Sequence, residues 1–334
     1  MERVTALNAT SADVLKANAN KKFRKTGIST GVISGLTYGL YSTFVVIASM
    51  KEPLVGAAGL FAAPYIASAL NDSLAAIWLL IYNTMTGRIR EIGRSLCTFP
   101  GFIIILGSLV GGPIASGAYL IALALAGAYA IPISALYSLF GAVFARIILK
   151  QKITPRVGLG MLICVVGAII INWVTPEGGS NFTLGIICAF IAAIGWALEA
   201  VLAAFGSAMI DSDIAINIRQ TVSGVVDIFI ILPIIGALGL LKSTFVAGTP
   251  VMWLAIGGLC AAISFLCWYK SNSTVGCAVG MSLNITYVFW GVLFSILFLG
   301  SAVTPTIVAG SIVILLGAVL VSVNPMELFR KNKI

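Results

Sequence analysis

From Ile28 to Val323 the chain is a succession of apolar runs of about twenty residues, each closed by a short polar, glycine or proline interruption. Crossing a ~30 Å hydrocarbon layer takes about 20 apolar residues in a helix, so each run is a candidate membrane span. Only 9% of the residues are charged and 60% are hydrophobic, against roughly a quarter charged in soluble domains. The period-two alternation of membrane strands is absent. The expected fold is an all-α membrane protein.

Reading the interruptions as loops gives ten transmembrane helices, at 28–49, 60–84, 99–122, 126–148, 155–174, 182–206, 215–239, 251–272, 276–299 and 304–323. The second is the least regular, because Pro64 and the Asn71-Asp72 pair interrupt it. With the N-terminus in the cytoplasm, the Lys and Arg residues of 16–25, 88–94, 150–156 and 330–333 share one side, and only Lys51 and Lys242 lie opposite. This is the positive-inside asymmetry of short loops. It predicts a multi-pass protein of the cytoplasmic (inner or plasma) membrane with both termini cytoplasmic, as basic tails over 1–27 and 324–334. Residues 1–25 lack the apolar core of a secretory leader. The formal charge of +9 is then a topology signal, and nucleic acid is excluded as a partner.

The six cysteines show no metal-type spacing and mostly lie inside apolar runs, where they serve packing. The chain has no histidine. A histidine-based metal site is ruled out, no cofactor is expected, and proton coupling would have to run through carboxylates.

An offset of 150 residues superposes the fourth and fifth spans on the ninth and tenth: Tyr137 on Tyr287, Gly141 on Gly291, Phe144 on Phe294, Thr154-Pro155 on Thr304-Pro305, Gly160 on Gly310 and Gly167 on Gly317. The same offset brings Tyr119 onto Tyr269, and one of 158 brings Tyr38 onto Trp196. Two five-span repeats follow, 28–174 and 182–323. An odd number of spans inverts the second against the first, an arrangement of secondary transporters that places the solute site near the midplane between the halves.

Acids inside such spans are the candidates for chemistry. An ionised carboxylate at membrane depth costs on the order of 2.5–3.5 kcal/mol and persists with a partner, a wet cavity or a function. Glu199 follows Trp196 by three residues on one helix face. That face either lines a solute cavity or pairs with a cation such as Arg219 or Lys270 as structural glue; we favour the cavity. Unpaired, the carboxylate would be able to exchange a proton. Asp72 and Asp227 are further acids inside spans, either one a partner for Arg219 or a coupling site. Lys270 either reaches the cytoplasmic surface or points at Glu199. Asn284 and Tyr287 share a stripe with Gly280 and Gly291, mated by Ser134 and Tyr137 on the fourth span. Packing accounts for the glycines but not for an amide in a dry environment. Tyr38 and Tyr41 share a face of the first span. Trp268 and Tyr269 lie near a cytoplasmic end, where interfacial belts are aromatic. Several aromatic faces and one carboxylate would hold an ammonium, each desolvated cation–π contact contributing about 2 kcal/mol.

In the elements Gly185-Ile-Ile-Cys-Ala189, Trp196-Ala-Leu-Glu199, Ile218-Arg219-Gln220 and Leu283-Asn284-Ile-Thr-Tyr287-Val-Phe-Trp290, the chain resembles the drug/metabolite transporter superfamily, EamA type, over nearly all of 28–323. Within it the sequence is most similar to the bacterial LicB-type choline uptake transporters. The resemblance implies ten helices, an aromatic-lined central pocket and a glutamate as counterion to a quaternary ammonium.

The function expected is secondary active transport of a small polar metabolite by alternating access: uptake of choline or a similar ammonium compound, with export of amino acids or related metabolites as the alternative. An enzyme is not expected, since no Ser/His pair, metal cluster or phosphate-cradling loop is present, and no Gly-x-x-x-x-Gly-Lys-[Ser/Thr] segment supports a nucleotide-driven pump. The partners expected are the small-molecule substrate and the lipid bilayer, with a homodimer as one option for assembly.

Overall fold

The computed structural model describes residues 2–57, 61–126, 130–171 and 181–322. The tail 324–334, with its basic residues, and the ends of several expected spans (60, 127–129, 172–174 and 323) lie outside the described residues. The described residues contain helices and no strand. In chain order these are α1 Glu2–Ser49, α2 Ala62–Met85, α3 Ile89–Leu96, α4 Phe99–Leu109, α5 Gly117–Ala126, α6 Ala130–Ser134, α7 Tyr137–Ile148 and α8 Pro155–Ile171. There follow α9 Phe182–Gly206, α10 Ser212–Val226, α11 Leu232–Ile234, α12 Leu238–Ala247, α13 Thr249–Val275, α14 Cys277–Asn284, α15 Tyr287–Leu299 and α16 Pro305–Ser322. Among the described residues, eight helical segments are long and apolar enough to cross a membrane, and α7, α8 and α12 are shorter apolar helices.

Several boundaries differ from the sequence reading for local reasons. The first span is no separate unit: α1 is one 48-residue helix that starts at Glu2, because no proline breaks the chain before Pro53. The expected interruptions in α2 are absorbed. Pro64 sits in the first turn, where its missing N–H has no intrahelical acceptor anyway. Asn71 and Asp72 turn inward and are buried. The short helix α3 was not expected; its Ile92 packs on the main core cluster.

Among the described residues, two π-helical segments interrupt α-geometry, Val110–Ser116 around Pro113 and Asp227–Ile231 just before Pro233. A proline withdraws a donor and collides with the preceding turn, and a widened turn accommodates it. A pair of two-residue breaks is related by sequence. One lies between Ser134 and Tyr137, the other between Asn284 and Tyr287. Both sets of flanking residues are paired by the 150-residue offset.

The helices pack as α1 on α13, α2 on α10 and α13, α9 on α4, α5 and α7, and α8 on α16. Small residues set these contacts: Ala193, Ala197, Ala200 and Ala204 form much of α9's buried face. Where lipid tails are as apolar as side chains, close backbone approach drives helix association. The α8–α16 seam is its clearest case. A Cβ on Gly160 would stand 2.9 Å from the Gly317 carbonyl oxygen, and one on Gly310 would stand 2.6 Å from that of Gly167. Residue numbers rise along one helix as they fall along the other, so the pair is antiparallel. Large side chains such as Phe229, Leu297 and Leu316 point outward, as a lipid-facing surface requires.

Candidate solute-binding site

At the meeting of α1, α2, α9, α10, α13 and the α14–α15 break lies a cavity of about 70 Å³. One wall is ionic. Arg219, 3% exposed, donates from Nε to Glu199 Oε1 at 2.6 Å and from Nη2 to Glu199 Oε2 at 3.4 Å, and its Nη1 donates to Asp72 Oδ2 at 3.0 Å. Nη1 also donates to Gln220 Oε1, and the guanidinium carbon lies 4.8 Å from the centroid of the Phe265 ring. Two carboxylates face one guanidinium, so the ionised triad keeps one net negative charge. Removing one member of such a buried set costs about 3–5 kcal/mol, because the remainder is left uncompensated.

The backbone makes room for this triad. The π-segment Val110–Ser116 brings Gly111 against Glu199, and any side chain there would collide with Oε2 and Cδ of that residue. The same turn frees the Gly111 carbonyl to accept from Trp196 Nε1 at 3.0 Å and from Ser116 Oγ at 3.1 Å. The sequence Gly111-Gly112-Pro113 thus orients both the indole and the carboxylate of α9.

The other wall is aromatic. Tyr38 lies edge-on to Tyr41 at 4.9 Å and near Tyr287 at 4.6 Å, between ring centroids. Trp196 meets Tyr137 at 6.4 Å, and Phe265 meets Trp268 at 6.3 Å. A polar thread closes the site across the halves. Tyr137 Oη donates to Asn284 Oδ1 at 2.8 Å, and Asn284 Nδ2 donates to Ser34 Oγ at 2.7 Å.

Of the residues singled out from sequence, Tyr38, Tyr41, Asp72, Tyr137 and Trp196 line the cavity, as do Glu199, Arg219, Asn284 and Tyr287. Tyr119 stands behind Trp196, ring centroids 5.1 Å apart, and Tyr269 is buried behind Trp268 at 5.7 Å. Asp227 is buried away from the cavity. Lys270 is exposed on the outer face of α13 and does not line it. Glu199 joins the two alternatives weighed for it: it is bonded to Arg219 and it faces the cavity. Trp268 is likewise no belt residue, being 5% exposed and part of the wall. Ser68, Ser116 and Phe265 also line the site and were not anticipated. For α13 a signal was available, since Ser264, Phe265 and Trp268 share one helix face with Ala261.

Comparisons with known proteins agree with this architecture. Residues 183–323 match the model of the EamA-like transporter family. Protein LicB of Haemophilus influenzae (strain ATCC 51907 / DSM 11121 / KW20 / Rd) is 26% identical over 190 residues, 56% of this chain and 63% of LicB, so the match spans less than two thirds of that relative. A solved crystal structure of another protein, 16% identical, superposes with a TM-score of 0.64 over 87% of this chain and 96% of that one, a likeness of fold. The part of the chain that resembles the EamA-like transporter family, residues 183–323, supplies Trp196, Glu199, Arg219 and Asn284 to the cavity.

Proposed function

We propose that this protein is a secondary transporter of a small organic monocation, choline or a similar ammonium compound, taken up across the cytoplasmic membrane. The observation that carries the reading is the cavity itself: an ionic wall with one negative charge in excess, opposite aromatic faces of Tyr38, Trp196, Trp268 and Tyr287. An ammonium without N–H donors gains from ring faces and from a carboxylate, and it needs no acceptor geometry. Glu199 spends both oxygens on Arg219. Among the described residues, Asp72 Oδ1 accepts only from its neighbour Asn71, at 3.5 Å. Asp72 is therefore the acid with capacity left for a solute, and Glu199 positions Arg219. Lys270 does not face the cavity, and the cation that does, Arg219, is already held by Glu199 and Asp72.

Alternating access would come from two inverted five-helix halves, 28–174 and 182–323, with both termini cytoplasmic and ten spans. Three features support this. The helix breaks before Tyr137 and Tyr287 are 150 residues apart. The pairs α8–α16 and α2–α10 each join equivalent spans of the two halves, and α1–α13 mirrors α9 on α4 and α5. The glycine seam crosses, Gly160 to Gly317 and Gly167 to Gly310, as a two-fold axis between the halves requires.

The test is uptake of labelled choline by purified protein in liposomes, with competing choline analogues, amino acids and nucleobases. Saturable uptake blocked only by quaternary ammonium compounds is expected. No uptake, or equal competition by amino acids, overturns the substrate class.

A further inference from the structure

A serine inside a helix commonly turns its hydroxyl back to the carbonyl four residues earlier. Ser42, Ser49, Ser243 and Ser282 do so here, at 2.6–3.0 Å. Ser68 of α2 does not. It lines the solute cavity, half-buried, and its hydroxyl forms no hydrogen bond among the described residues, neither to the Pro64 carbonyl nor elsewhere. Two other cavity hydroxyls are already engaged, Ser116 with the Gly111 carbonyl and Tyr137 with Asn284. The hydroxyls of Tyr38, Tyr41 and Tyr287 share the state of Ser68 among the described residues.

A quaternary ammonium has no N–H and cannot serve any of these hydroxyls. Polar groups closed off from water need partners, so a solute that covers them has to bring a hydrogen-bonding atom of its own. The charge of the cavity restricts its kind. A carboxylate on the solute would face the net negative charge of the Glu199–Arg219–Asp72 set. A hydroxyl is neutral and can both donate and accept. Position then ranks the residues that could meet it. Tyr38, Tyr41 and Tyr287 stack on one another as the aromatic wall. An ammonium sits above such rings, whereas their hydroxyls lie in the ring planes. Ser68 precedes Asp72 by four residues on one face of α2, with Cβ atoms about 5–6 Å apart. A two-carbon link between an ammonium and a hydroxyl spans that interval.

Resting on the cation-binding reading above, we propose that Ser68 is a specificity-determining residue: its hydroxyl hydrogen-bonds the hydroxyl of an amino alcohol whose ammonium lies against Asp72 Oδ1. The solute is then chosen at both ends, by charge at Asp72 and by oxygen at Ser68. Tetraalkylammonium ions and carboxylate-bearing betaines are disfavoured for different reasons, the first for want of a hydroxyl and the second for their charge. An alkyl tail leaves water more readily than a hydroxyl does, so a preference for the hydroxylated cation requires a partner inside the cavity.

Competition against labelled choline on the purified full-length protein in detergent tests this. One competitor is n-propyltrimethylammonium, with a methyl where choline has its hydroxyl. The other is glycine betaine, with a carboxylate in place of the hydroxymethyl group. Wild type should hold choline about 3- to 10-fold more tightly than the propyl compound, the contribution of one neutral hydrogen bond, and betaine least tightly. Ser68→Ala should lower choline affinity by that factor and leave the propyl compound unchanged, which also shows that the variant is folded. The wild-type comparison stands without any variant. Equal affinity of the wild type for choline and the propyl compound, a preference that survives in S68A, or betaine bound as tightly as choline overturns the proposal. Binding of neither choline nor the propyl compound to the wild type would instead overturn the ammonium reading itself.

Discussion

Tyr137 and Asn284 come from opposite halves of the chain and meet at 2.8 Å, hydroxyl donating to amide oxygen, beside two helix breaks 150 residues apart. The amide nitrogen continues the thread to Ser34 on α1, so one side chain satisfies partners on two other helices. Asn284→Ala leaves the Tyr137 hydroxyl only its longer bond to the Met281 carbonyl and Ser34 Oγ only that to Ser264 Oγ, both at 3.4 Å, a weakening of about 1 kcal/mol. Thermal unfolding in detergent should show the loss, and Tyr137→Phe, which removes the donor, should cost less.

Gly111 is set against Glu199 too closely for any side chain. Gly111→Ala should displace the carboxylate from Arg219 and lower both solute binding and thermal stability. Gly93→Ala, in open space on α3, should change neither. Solute-induced thermal shifts compare the two directly.

Trp268 is a wall of the cavity and not an anchor at the lipid interface. Replacing it by Ala removes one aromatic face, about 2 kcal/mol if desolvated, so choline affinity should fall by about 30-fold. Trp268→Phe should lose much less. Equal affinities for wild type and W268A would remove this ring from the site.

Arg88 joins the end of α2 to the start of α10. It donates to Glu91 at 2.7 Å, to Asp213 at 2.8 Å and to Asp211. Its hydrogen bond holds the Glu91 carboxyl below the ordinary value, and Glu91, ahead of Asp211, in turn raises the guanidinium. A carboxyl depressed by folding contributes stability above its unfolded pKa and loses it as pH falls through the folded one. Wild type should therefore be more stable than Arg88→Gln at neutral pH, and the gap should close as pH drops below about 4. Unfolding midpoints of both proteins from pH 3 to 8 give the comparison.

Much of this architecture was legible because membrane helices advertise themselves by length: the apolar run 182–206 is the helix Phe182–Gly206. The interruptions misled. Pro64 reads as a break, yet in the first turn of α2 it costs no hydrogen bond. The acids of the site were visible as charges in apolar runs, but their pairing was not. Sequence spacing relates Arg219 to its own helix, and its partners Glu199 and Asp72 lie 20 and 147 residues away on others. Trp268 was hidden by its nearness to an end of α13, where position in the span and helical face give opposite answers.

The crossing of α8 and α16 sets a limit on how this protein can move. Backbones touching through Gly160, Gly167, Gly310 and Gly317 leave no side-chain cushion to shear. The two helices must travel as a single strut, and any opening toward either water phase has to be made by the bundle swinging about it.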